Sequence, residues 1–125
     1  MLMKRGLICE LEDWEIDYLR PILKGLDVRF SKGKLSESHS LNDIDYLGIF
    51  IHSAINKKVL DKMPNLKFIT TMSTGFNHID FEACNKKGIV VSNVPSYGEN
   101  TVAEHTLGLM LTLSRKLNLA MESTK

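Results

Sequence analysis

Neither sign of charge dominates this sequence. Sixteen Lys and Arg stand against fifteen Asp and Glu, and the basic residues occur only in short pairs such as Lys57-Lys58 and Lys86-Lys87. A nucleic-acid partner, which needs a clustered basic surface, is therefore not expected. Cysteine is scarce: Cys9 and Cys84 are far apart, fit no metal-ligand spacing, and lie in apolar-rich segments. Both are expected to be buried free thiols, which fits a reducing, cytoplasmic setting. The histidines, His39, His52, His78 and His105, form neither H-x-H nor H-E-x-x-H, so no metal site is expected. The uncharged run 106–114 is too short to span a membrane. Glu10, Glu12 and Asp13 arrive too soon for a signal peptide. The glycines, at 6, 25, 33, 48, 75, 88, 98 and 108, nowhere take the G-x-G-x-x-G spacing that cradles a dinucleotide pyrophosphate.

What is present is an ordinary share of core material. Hydrophobic residues are 43% and charged residues 25% of 125, enough for one domain. Short β-like runs alternate with helical patterns. Strands are expected at 7–11, 28–30, 46–51, 66–72 and 89–92. Between the first two, Trp14, Tyr18, Leu19, Ile22, Leu23 and Leu26 recur at the spacing of one helix face. Gly25 is a natural stop for that helix, and Pro21 is expected to bend or break it. Residues 31–42 read as loop. Shorter helices are expected at 57–63, ended by Pro64, and at 80–87, closed by Gly88. A long last helix is expected from about Asn100, where Thr101 and Glu104 have the capping-box spacing. Alternating strands and helices with apolar strands imply an α/β fold, a parallel sheet covered on both sides.

In such a sheet, ligands gather beyond the carboxyl ends of the strands. That rule nominates His52-Ser53, Ser73-Thr74-Gly75-Phe76-Asn77-His78, and Val94-Pro95-Ser96-Tyr97-Gly98-Glu99-Asn100. Around Gly75 the chain can turn sharply and aim consecutive N–H groups at an anion such as a carboxylate. A plain turn with capping hydroxyls would give the same residues. Tyr97, by its type alone, reads equally as a core ring with a satisfied hydroxyl. Two other uses of the sheet fail: the third strand ends Phe50-Ile51-His52-Ser53, without the aspartate of a phospho-receiver. After the first strand, Cys9-Glu10-Leu11-Glu12-Asp13 would repel the phosphate of a flavin nucleotide.

Four blocks carry a family likeness. They are Pro64-Asn65-Leu66-Lys67-Phe68-Ile69; Ser73-Thr74-Gly75-Phe76-Asn77-His78-Ile79-Asp80; Gly88-Ile89-Val90-Val91-Ser92-Asn93-Val94-Pro95; and Tyr97-Gly98-Glu99-Asn100-Thr101-Val102-Ala103-Glu104-His105. In this order and spacing they resemble the D-isomer-specific 2-hydroxyacid dehydrogenases.

The resemblance implies a flavodoxin-like, three-layer substrate domain over residues 1–99. It makes 100–125 a long helix that crosses toward an NAD-binding Rossmann domain and takes part in a homodimer. That Rossmann domain, with the family's catalytic Arg, Glu and His, lies beyond these residues, so no catalytic residue is assigned. The reaction implied is NAD-linked interconversion of 2-keto and D-2-hydroxy acids, with these residues inactive alone. The backbone amides of Thr74 and Gly75 would grip the substrate carboxylate, flanked by Ser73 and Phe76. Tyr97 would face the substrate and Val102 the nicotinamide. His52-Ser53 stands where the family often has Arg-Ser, and Asn77-His78 departs from the usual Asp-Asn, which leaves the substrate side chain open. The competing reading is a non-catalytic α/β binding or dimerisation module.

Overall fold

The computed structural model describes residues 4–36 and 40–124; His39 lies outside them. The elements in order are β1 (Arg5–Ile8), α1 (Asp13–Ile22), β2 (Asp27–Phe30), β3 (Tyr46–Ile49), α2 (Lys57–Asp61), β4 (Phe68–Thr71), α3 (Phe81–Lys86), β5 (Val90–Ser92), α4 (Glu99–Ser114) and α5 (Leu117–Ser123). Residues 1–95 form one compact unit and 96–125 another.

The first unit is a five-stranded sheet of order β2-β1-β3-β4-β5, parallel at every pairing. This is the flavodoxin-like α/β arrangement. Because the order reverses between β1 and β3, right-handed crossovers put α1 on one face and α2 with α3 on the other. The neighbouring helices α2 and α3 are also joined by Lys87 Nζ, 2.8 Å from Asp61 Oδ1. That hydrogen bond and charge hold the Asp61 carboxyl below its usual pKa.

The register explains the core. Leu7, Leu47, Ile69 and Val91 are aligned across four strands, and the first three are buried. With Leu60 of α2, Cys84 of α3, Met63, Ile55 and Ile79 they form one apolar cluster. On the other face Ile8 aligns with Gly48, and a Cβ built at Gly48 would sit 3.1 Å from Ile8 Cγ2. Glycine in this central strand thus makes room for a branched neighbour.

Several boundaries differ from those read from the sequence. The first strand runs from Arg5 and not from Leu7, because Arg5 pairs with Asp27 in the ladder and bonds it through the side chain at 2.9 Å. It ends before Glu10, whose φ of +65° leaves strand geometry. Residues 50–51 and 66–67 fall outside their strands.

The apolar residues expected on one face of α1 do not share one environment. Ile16, Leu19 and Leu23 are half-buried, whereas Trp14, Tyr18, Ile22 and Leu26 are exposed. The helix carries two apolar stripes, and only the first turns inward. It passes through Pro21 and ends one residue later, with Gly25 at φ +93° completing the stop. Gly88, at φ +66°, closes α3 in the same way.

The long last helix is in fact two. Lys116 takes a left-handed conformation, φ +51°, which no α-helix continues through. Nor do Thr101 and Glu104 cap α4, which begins at Glu99 after Gly98. At that start Ser96 Oγ donates to Glu99 Oε2 at 2.7 Å. The apolar residues Val102, Leu107, Leu109, Met110, Leu111 and Leu113 of α4 are all exposed.

Candidate functional site

The loop after β4 is held from inside. Thr71, the last residue of β4, is fully buried, and its Oγ1 lies 2.7 Å from Ser73 Oγ and 3.2 Å from His78 Nε2. Ser73 Oγ donates onward to the Gly75 carbonyl at 2.8 Å. Each hydroxyl has one proton. With the Ser73 proton directed to the Gly75 carbonyl, Thr71 shares its one proton between Ser73 Oγ and the Phe50 carbonyl, to which it donates at 3.2 Å.

The same loop is stitched to the one after β5. Thr74 Oγ1 donates to the Val94 carbonyl at 2.9 Å, and Asn93 Nδ2 donates to the Thr74 carbonyl at 2.8 Å. Val94 N–H donates to the Ser73 carbonyl at 3.1 Å. These bonds occupy the carbonyls and hydroxyls of 73–75. Among the described residues, the N–H groups of Thr74, Gly75 and Phe76 have no partner. Adjacent unpaired donors in an exposed loop at the carboxyl end of a parallel strand suit a carboxylate.

Gly75 serves this loop in a different way from that expected. Its φ is not in the left-handed region, and a Cβ there would meet nothing within 4 Å. No tight turn requires glycine; the space beside its backbone is open.

The other nominated residues are placed differently. Ser53 is buried, and its Oγ accepts from Leu35 N–H at 2.8 Å, so its side chain fastens the segment after β2. His52 is exposed, its ring edge-on to Phe50 at 6.1 Å, and its backbone N–H donates to Glu10 Oε2 at 2.8 Å. Phe76 is about half exposed, its ring 6.5 Å from that of Phe81. Tyr97 is 67% exposed, which rules out the core-ring reading, and Val102 is exposed on α4. Both belong to the second unit.

Sequence reasoning missed Thr71, Asn93 and Glu10. A threonine ending an otherwise apolar buried strand is a signal for the first. Asn93 and Glu10 carry no local signal, since their partners are 19 and 42 residues away.

Cys9 and Cys84 are buried free thiols. Burial, then the nearby Glu10 charge, raises the Cys9 pKa to about 11. Among the described residues, no group of three His, Cys, Asp or Glu could hold a metal, and no helix is long and apolar enough to cross a membrane.

Comparison with known proteins supplies the context. The family model for the catalytic domain of D-isomer specific 2-hydroxyacid dehydrogenases matches residues 7–125. An aromatic 2-oxoacid reductase of Clostridium sporogenes is 37% identical over 89 residues, which is 70% of this chain and 27% of that protein. D-lactate dehydrogenase of Escherichia coli is 30% identical over 105 residues, 81% of this chain and 32% of that one. The crystal structure of D-lactate dehydrogenase from Aquifex aeolicus, complexed with NAD and lactic acid, superimposes with a TM-score of 0.87 at 32% identity, covering 96% of this chain and 37% of that one. The chain thus spans roughly a third of the length of these relatives.

Proposed function

Because the chain belongs to the D-isomer specific 2-hydroxyacid dehydrogenase family, we propose that it is the N-terminal part of the substrate-binding domain of an oxidoreductase interconverting 2-keto and D-2-hydroxy acids. The observation that carries this reading is the pair of unpaired N–H groups at Thr74 and Gly75. Two adjacent amides can donate to the two oxygens of a carboxylate, and charge-assisted bonds of that kind are short and directional. Ser73 acts from beneath by fixing the Gly75 carbonyl, and Asn93 by fixing that of Thr74. Anchoring the carboxylate orients the keto carbon, which is where positioning contributes to hydride transfer. His52 and Tyr97 are the further substrate-side residues that the family resemblance implies.

NAD is the hydride partner that the family implies. The sequence has no G-x-G-x-x-G turn, and Val102 offers an aliphatic surface to the nicotinamide in this proposal. These 125 residues alone are expected to bind and orient a keto acid without turning it over. A homodimer through α4, in a cytoplasmic setting, belongs to the same proposal; the exposed leucines of α4 and the two free thiols support it.

The test is an amide-resolved NMR titration of the chain with pyruvate. Shifts centred on Thr74, Gly75 and Phe76 are expected, with no calorimetric signal for NADH and no NADH oxidation. Pyruvate shifts located elsewhere would refute the carboxylate site. The rival reading, a non-catalytic dimerisation module, rests on the apolar surface of α4 and α5, and predicts association with no response to pyruvate.

A further inference from the structure

The carbonyl groups of residues 73–75 decide where the amides of 74–76 point. A peptide group is planar and trans, so fixing the carbonyl of one residue turns the N–H of the next to the opposite side. The Ser73 carbonyl accepts from Val94 N–H, which sets the Thr74 amide. The Thr74 carbonyl accepts from Asn93 Nδ2, which sets the Gly75 amide. Both donors lie in the segment after β5. The Phe76 amide is set differently, through the Gly75 carbonyl, whose donor is Ser73 Oγ at 2.8 Å.

Behind Ser73, protons are scarce. Thr71 and Ser73 have one hydroxyl proton each. Three contacts call on them: 2.7 Å between the two hydroxyls, 3.2 Å from Thr71 to the Phe50 carbonyl, and 2.8 Å from Ser73 to the Gly75 carbonyl. His78 Nε2, 3.2 Å from Thr71 Oγ1, makes a fourth contact. With the ring proton on Nδ1, Nε2 would be another acceptor for Thr71, and the Ser73 proton would be drawn back to Thr71 and away from Gly75. With the proton on Nε2, the ring donates to Thr71, Thr71 serves Ser73 and Phe50, and the Ser73 proton is left for Gly75. Thr71 and Ser73 are buried, where a missing donor costs most. The backbone that carries the ring is itself fixed: the His78 carbonyl accepts from Ile55 N–H and Asp80 N–H donates to the Ile55 carbonyl, both at 2.8 Å.

We propose that His78 is a positioning residue for the keto-acid carboxylate. Through its Nε2–H, Thr71 and Ser73 it holds the Gly75 carbonyl inward and so presents Phe76 N–H as a third donor beside those of Thr74 and Gly75. A carboxylate has about four acceptor positions, so a third amide finds one free. Donation to the Gly75 carbonyl also polarises that peptide, which strengthens Phe76 N–H as a donor. This role of His78 rests on the carboxylate reading of Thr74 and Gly75.

The experiment is nitrogen-15 NMR on the whole 125-residue chain and on His78→Gln and His78→Leu, with pyruvate as the probe. In the parent, the neutral His78 ring is expected to carry its proton on Nε2, and a proton on Nδ1 would overturn the proposal without any variant. In His78→Leu the pyruvate-induced shift of Phe76 N–H is expected to fall by about half or more, and binding to weaken about three- to tenfold, the scale of one hydrogen bond. Thr74 and Gly75 N–H, held from the β5 side, should still respond. His78→Gln offers an N–H donor of similar reach, and should restore the Phe76 shift and bring binding within about twofold of the parent. A glutamine variant that behaves as His78→Leu does, a uniform loss at all three amides, or an undiminished Phe76 shift in His78→Leu would overturn the role of His78. If pyruvate moves Thr74 and Gly75 but not Phe76 in the parent, that role fails and the carboxylate reading stands. If it moves none of the three, both fail. The ring tautomer and the parent titration decide the matter even if His78→Leu does not fold.

Discussion

Thr71 Oγ1 and Ser73 Oγ lie 2.7 Å apart in the interior, and the Ser73 hydroxyl continues to the Gly75 carbonyl. A buried strand end is thereby tied to the loop that exposes its amides. Ser73→Ala removes the middle link and leaves the Gly75 carbonyl without its donor, while the Thr71 hydroxyl keeps the Phe50 carbonyl at 3.2 Å. A loss of about 1–3 kcal/mol is expected, read as a lower urea midpoint with unchanged slope. The pyruvate-induced shift at Thr74 should weaken too. A variant with parent stability and parent shifts would show that the link is idle.

Gly75→Val separates fold from binding. Its backbone is not left-handed and its Cβ direction is empty, so the variant is expected to keep the parent's thermal midpoint within a few degrees. The valine would occupy the space a carboxylate needs, and the pyruvate response of Thr74 and Phe76 should vanish. Normal pyruvate shifts in a folded variant would place the carboxylate elsewhere.

The Cys9 thiol gives a pH prediction. Its pKa rises from 9.0 to about 11, by burial first and the Glu10 charge second, so folding favours the protonated thiol. That contribution is fully present below the unfolded pKa and is lost as pH rises through the folded value. Between pH 9.0 and about 11 the parent should therefore lose more stability than Cys9→Ala does. Equal slopes of urea midpoint against pH would contradict it. Ellman's reagent at neutral pH should leave the native thiols unmodified.

Leu109 and Leu113 of α4 are 51% and 79% exposed, in a helix with no charge between His105 and Arg115. Apolar surface of that kind expects a partner, here a second copy. Sedimentation velocity should show dimers or larger species that shift with concentration. Leu109→Lys with Leu113→Lys should return the chain to monomer with its helical circular dichroism kept. A parent that remains monomeric at every concentration would remove the interface.

The parallel sheet was legible because its strands are local apolar runs, and because Gly25, Gly88 and Pro64 stop helices by chemistry that needs no tertiary partner. The ends of those strands were less legible. Arg5 belongs to β1 through Asp27, 22 residues away, and nothing near Arg5 announces it. Which apolar residues of α1 turn inward was not legible, because Trp14, Tyr18 and Ile22 keep helical spacing whether they face the sheet or solvent. The site divided similarly. The loop 73–76 was marked by its position after a strand and by its glycine, yet the reason for the glycine lay in the space beside it. Glu10 gave no sign, since its left-handed backbone and its bond to His52 exist only once β1 and β3 are side by side.

The close approach of Gly48 to Ile8 makes the two positions share one volume across neighbouring strands. A side chain at 48 requires Ile8 to give by a few tenths of an ångström, in strands that position Glu10 and His52. Gly48→Ala by itself is expected to lower stability by about 1–3 kcal/mol through overpacking, and Ile8→Val to recover part of that loss. A double-mutant cycle by urea unfolding measures the coupling, and additive effects would deny it. Sequences drifting from this one should trade bulk between 8 and 48 in step, so that a change at either position is a record of the other.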